Sequence, residues 1–291
     1  MSAGSSPGPF SPIGIMRSWL RLKPAPDSRP ARGSLVAWLI LIASVLYFFL
    51  PLVATLEYSL RPKPNHLLAY QTALKDPKFF SALAYSFVVG VITIVLSISI
   101  ILPTAFWVRL RLPRLRSVVE FVTLLPFIIP AVVLVFGLLR IYSAKPIQLV
   151  ATDLGSTAVL IGAYVVLSFP YMYRAVDTGL AAIDVRTLTE AAQSMGAGWG
   201  RILIQVILPN IRAALLAGAF LTLAIVIGEY TIATFLARPA FGPFLSDLGR
   251  SAPFEPAAVA LISFLLTWLA MILIAIVGRG ARTRVQVGGA R

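Results

Sequence analysis

The sequence predicts an all-α integral membrane protein with six transmembrane helices and both termini in the cytoplasm, and three observations carry that expectation. Of 291 residues, 58% are hydrophobic and only 12% charged, whereas a soluble globular domain is about one quarter charged. Six apolar stretches are long enough to cross the roughly 30 Å of bilayer hydrocarbon as helices. Lysine and arginine gather in alternate connections between those stretches. The same composition closes other routes. With no cysteine there is no disulfide framework and no thiolate site, and His66 alone cannot build a histidine metal site.

In order, the predicted spans are Leu35 to Leu56, Leu83 to Val108, Val118 to Leu139, Thr157 to Tyr173, Ala213 to Leu236 and Ala257 to Val277, together a membrane domain over 35–277. Residues 1–34 are rich in Ser, Gly and Pro and carry Arg17, Arg21, Lys23, Arg29 and Arg32, the pattern of a disordered basic tail. No small-x-small cleavage pattern follows the first span, so it reads as a retained helix rather than a secretory leader. A second basic tail, 278–291, holds Arg279, Arg282, Arg284 and Arg291. The two tails and the connections Arg109 to Ser117 and Arg174 to Arg212 hold 17 of the 25 basic residues. Cytoplasmic loops carry such an excess, so these segments are expected inside, against anionic lipid. Arg109, Arg111, Arg114 and Arg116 are flanked by spans on both sides, which argues against a nucleic-acid patch.

Pro103, Pro126, Pro130 and Pro170 fall within spans, where each removes a backbone donor and leaves a carbonyl that lipid cannot satisfy. Pro126 and Pro130 are candidates for a helix that lines a cavity, although proline is also common in membrane helices. Two carboxylates lie within spans. Glu120 stands near the Arg116 loop and is expected at the interface, in water or paired with an arginine. Glu229 lies deep in the predicted fifth span, beside Tyr230, where an ionisable group is costly and marks either a transport pathway or a bond to a neighbouring helix.

The longest inward connection, 174–212, is the most specific part of the chain. Thr187 followed by Glu190 has capping-box spacing and predicts a helix starting near Thr187, which Gly196 and Gly198 then stop. A second amphipathic segment, Trp199 to Leu208, places Ile202, Leu203 and Val206 on one face, and Pro209 leads into the fifth span. The result is a helical elbow lying against the inner membrane face. Its series Glu190, Ala191, Ala192, Gly196, Leu208 and Pro209, with Val206 where isoleucine is usual, resembles the EAA motif of the membrane subunits of binding-protein-dependent ABC importers. From about Phe79 to Val277 the chain is similar to the type I importer permease core.

That resemblance implies a type I permease fold in a bacterial inner membrane and a non-catalytic subunit. The elbow would dock on a cytoplasmic ABC ATPase dimer through Glu190, Ala191, Ala192 and Gly196, so that closure of the dimer rocks the membrane helices. A second permease subunit, usually a related chain, and a periplasmic solute-binding protein would complete the machine. ATP and magnesium would belong to the ATPase, since this sequence has no Gly-x4-Gly-Lys-Ser/Thr loop and no cofactor of its own is expected. The resemblance extends to the spermidine and putrescine branch. Glu229 with Tyr230 would suit a polycation there by charge and cation–π contact. Ferric iron, thiamine, phosphonate and sulfate stay open, with Arg238 and Arg250 available to anions or simply solvated. An ion-coupled secondary transporter would want more intramembrane charge or an inverted repeat, and an embedded enzyme would want clustered acids and bases.

Overall fold

The computed structural model describes residues 35–146 and 148–279, and the regular secondary structure among them is entirely helical. The two predicted basic tails, apart from the last turn of the final helix, lie outside the described residues. Contacts divide the chain at Ala54, inside the first helix, α1 (Leu35–Ser59). Its N-terminal part carries exposed apolar side chains such as Trp38, Leu46 and Phe49.

The rest of the chain forms a bundle. A short helix, α2 (Leu68–Lys75), leads into α3 (Pro77–Leu110), which starts where the Asp76 side chain accepts the Lys78 amide at 2.8 Å and Pro77 occupies the first turn. α3 runs through Pro103 without a break. The central helix is α6 (Asp153–Ala181), opened by the Thr152 hydroxyl accepting the Gly155 amide at 3.1 Å. Predicted as the short fourth span, it is 29 residues long and buries Leu160, Tyr164, Met172, Val176 and Leu180. It packs against α3, where Ser97 and Ser168 share a 2.6 Å hydrogen bond, and against α9 (Arg212–Gly228). The latter pair approaches closely at Gly218, where a Cβ would stand 2.9 Å from the Met172 sulfur and 3.0 Å from the Ala175 Cβ.

Two predicted spans are not continuous. Val118 to Leu139 becomes α4 (Arg116–Ile128) and α5 (Ala131–Tyr142), bent by 96°. Pro126 sits inside α4 and is tolerated, while Pro130 breaks the rod: the residue before a proline is pushed out of the α region, and Ile129 is extended at φ −88°, ψ 117°. Ala213 to Leu236 likewise ends early. α9 stops at Gly228, Glu229 is extended, and a one-turn helix, α10 (Thr231–Phe235), resumes beyond it. Then follow α11 (Phe241–Ser251) and α12 (Glu255–Arg279). Among the described residues three helices are long and apolar enough to cross a membrane, or up to five if each bent pair counts as one span, with 255–269 a shorter apolar stretch.

Candidate functional site

The connection after α6 folds as an elbow of two helices, α7 (Val185–Ser194) and α8 (Trp199–Asn210). The cap differs from the predicted box. Asp184, not Thr187, starts α7, its carboxylate accepting the Thr187 amide at 3.1 Å and the Thr187 hydroxyl at 2.7 Å. These two bonds hold the Asp184 carboxyl below its usual range, the hydroxyl contributing most. Glu190 therefore does not reach back to a cap; it pairs with Arg186 at 2.8 Å, one turn earlier. At the other end Gly196 adopts φ +79°, its amide bonding the Gln193 carbonyl at 2.8 Å and the Ala197 amide reaching the Ala192 carbonyl at 3.0 Å. This is a Schellman stop, which needs a left-handed residue.

Helical spacing divides the predicted docking residues between two faces. Val185, Thr189 and Ala192 are buried, so Ala192 packs inward, on the face opposite Glu190 and Ala191. Glu190, Ala191 and Gly196 are exposed, joined by Met195 at 81% exposure, a residue outside the motif. In α8 a π turn over Ile202–Ile207 brings two residues five apart to one side, so Ile202 and Ile207 are both fully buried. Leu203, Val206 and Leu208 are half-buried and Pro209 exposed. At Ile211 the chain turns by 83° into α9.

The four arginines read above for orientation are, in part, structural. Asp177 of α6 receives Arg109 at 3.1 Å and Arg116 at 2.9 Å, tying the α3–α4 turn to α6. Arg111 lies over two indoles, 5.3 Å from the Trp107 ring centre and 5.1 Å from that of Trp199. Trp107 is one helical turn before Arg111, but the sequence offered no sign of the pairings with Asp177 and Trp199, because those partners are remote in the chain.

On one side of α4, α6 and α9 a cavity of about 590 Å³ is lined mainly by apolar groups. Phe127 and Tyr171 meet edge-on at 5.2 Å, and Glu120 pairs with Arg174 at 3.5 Å. Glu120 is thus paired with an arginine, one of its two expected settings. Of the predicted pathway prolines, Pro126 is half-buried next to the lining residue Phe127, and Pro130 is exposed at the α4–α5 corner.

Glu229 occupies the other break. Its carboxylate accepts the Tyr164 hydroxyl at 2.9 Å and the amides of Ile232 and Ala233 at 2.8 and 3.1 Å. Three donors thus converge on one carboxylate, which closes the gap between α9 and α10. Tyr230 is set apart from it, 40% exposed and lining a cavity of about 610 Å³ with Lys78, Arg238 and Asp247. Arg238 is not simply solvated: its side chain is 11% exposed and bonded to Asp153 at 2.5 Å. Arg250 is exposed and paired with Asp247 at 3.5 Å.

The profile of the family described as binding-protein-dependent transport system inner membrane component matches residues 97–283. The spermidine/putrescine transport system permease protein PotB of Escherichia coli (strain K12) is 24% identical over 226 residues, covering 70% of this chain and 78% of that protein. The putative 2-aminoethylphosphonate transport system permease protein PhnV of Salmonella typhimurium is 27% identical over 263 residues, covering 85% and 94%. Among solved structures, a bacterial ABC transporter involved in import of the acidic polysaccharide alginate aligns with TM-score 0.65 and 12% identity, over 93% of this chain and 99% of that one.

Proposed function

The chain belongs to the binding-protein-dependent transport system inner membrane components, and from that premise we propose how it works as the permease subunit of its ABC importer. Six spans place both termini and the elbow in the cytoplasm. The elbow docks on an ABC ATPase dimer through the exposed ridge Glu190, Ala191, Met195 and Gly196, while Val206, Leu208 and Pro209 shape the second leg and its corner into α9. ATP and magnesium are held by that ATPase. The α4, α6 and α9 face, paired with a second permease subunit, forms the translocation path, with Pro130 setting its angle. A periplasmic binding protein delivers the solute.

One observation carries this reading. The elbow has a buried face that anchors it to α3 and α6 and a separate exposed ridge that ends in a sharp left-handed stop, the division of labour a docking lever requires.

For the substrate, spermidine, putrescine and 2-aminoethylphosphonate share an alkylammonium group, and we take an amine-bearing solute as the cargo, polyamine first. Glu120 and the Phe127 and Tyr171 rings would receive such a group by charge and cation–π contact. Glu229, already holding three donors, then serves the turn rather than the solute. The test is to extract the tagged chain gently from its native membrane and identify what co-purifies by mass spectrometry. Uptake of radiolabelled spermidine, putrescine and 2-aminoethylphosphonate into vesicles containing the complex follows. An ATPase in the complex and uptake of an amine support the reading; a chain that emerges alone from several mild detergents overturns it.

A further inference from the structure

The elbow meets the bundle in two ways. Beneath it, Ala192, Ile202 and Ile207 share one apolar cluster with Ile101, Phe106, Met172 and Leu180 of α3 and α6. Such contacts resist separation, but they are not directional and allow sliding. Its covalent exit is weaker still as a lever arm, because α8 contains a π turn and joins α9 through an 83° corner. Force entering the elbow would be spent in bending there.

A second set of contacts does fix angles. Trp199, the first residue of α8, packs on Trp107 in the last turn of α3, ring centres 4.7 Å apart and tilted by 46°, with Phe106 at 6.4 Å. The Arg111 guanidinium caps both indoles. The same turn holds α6 through Arg109 and Asp177, and Arg116 at the start of α4 pairs with the same carboxylate. Planar groups packed ring against ring favour particular orientations, and a guanidinium can serve two rings where an ammonium is a point charge.

We propose that Trp107, Arg111 and Trp199 are positioning residues that lock the elbow to the inner ends of α3 and α6, so that force delivered at the ridge moves these helices directly. The proposal rests on the docking reading above and goes beyond it, since none of the three lies in the motif that carried that reading.

The chain has no cysteine, so Ser99→Cys on α3 and Phe264→Cys on α12, both exposed, give two unique spin-label sites. The isolated chain is labelled, the co-purifying ATPase is returned, and the distance between the labels is measured before and after trapping with ATP and vanadate. Trapping shifts the distance in the parent chain. Trp199→Ala and Arg111→Gln retain the ATPase and trap nucleotide but lose the shift, and Trp199→Phe restores it. Arg111→Lys, which keeps charge and is the gentler change, loses it too, and decides the matter if Trp199→Ala fails to fold. A full shift in Trp199→Ala and Arg111→Gln overturns the proposal, as does an unshifted parent. Shedding of the ATPase by these variants also overturns it, because the aromatic cluster would then only shape the docking surface. The docking reading fails separately, if Glu190→Arg still retains the ATPase.

Discussion

Two glutamates of this chain, one within the first leg of the elbow and one in the break after α9, serve opposite ends. At the elbow, Glu190 lies on an exposed face, paired only with Arg186, and an exposed i,i+4 pair contributes only a few tenths of a kcal/mol. Beyond α9, Glu229 is half-buried and accepts one hydroxyl and two backbone amides. Removing a group of that kind leaves buried donors unsatisfied, which costs far more than an exposed pair gives. The difference teaches that a carboxylate deep in an apolar chain need not face a solute. Where a helix resumes after a break, its first amides are free and need an acceptor, and here the acid in the break supplies one.

The largest expected effect breaks this comparison directly. Glu229→Gln keeps the shape but halves the acceptors available to three donors, and should destabilise the protein by about 2–3 kcal/mol. Apparent Tm falls, and uptake falls only in proportion to the folded protein recovered. Unchanged Tm with selective loss of amine uptake would make Glu229 a pathway residue instead. Tyr164→Phe removes one of the three donors and should cost about 1–2 kcal/mol by the same thermal assay. A loss equal to that of Glu229→Gln would show that the hydroxyl, not the amides, dominates the node. Gly196→Ala puts a Cβ at φ +79° and should cost about 1 kcal/mol, confined to the elbow; faster amide exchange in α7 with the bundle unaffected is the expected signature.

The smallest effect concerns pH. Asp184 has its carboxyl held below the usual range by Thr187, so its capping contribution is present above the ordinary Asp value and is lost as pH falls through the lowered one. Protection of the α7 amides should therefore persist down to the ordinary carboxylate range, about pH 4, and weaken below it. In Asp184→Asn, which caps without titrating, that weakening should vanish. If it does not, another group governs the elbow.

Much of the molecule is legible in its sequence. The membrane class followed from low charge and long apolar runs, since a bilayer demands both. α3, α6 and α12 appear within a turn or two of the predicted second, fourth and sixth spans, except where the C-terminal end of α6 runs on through polar residues to Ala181. The elbow, its Gly196 stop and its two legs were also visible, because a positive-φ glycine and amphipathic spacing are local properties.

What escaped was set by distance in the chain. Pro130 was noticed, yet a proline in a membrane span bends, breaks or does neither according to its neighbours, and only the fold distinguishes it from Pro103 and Pro126. Ala192 belongs to the motif but turns inward because α3 and α6 supply the core it packs on. Glu229 could not reveal its part from spacing alone, since Tyr164 reaches it from another helix. The sequence by itself determined the solvent, the family and the local shape of the elbow; tertiary structure decided which charges are bonded and which remain free to meet a partner, because pairing depends on helices that only packing brings together.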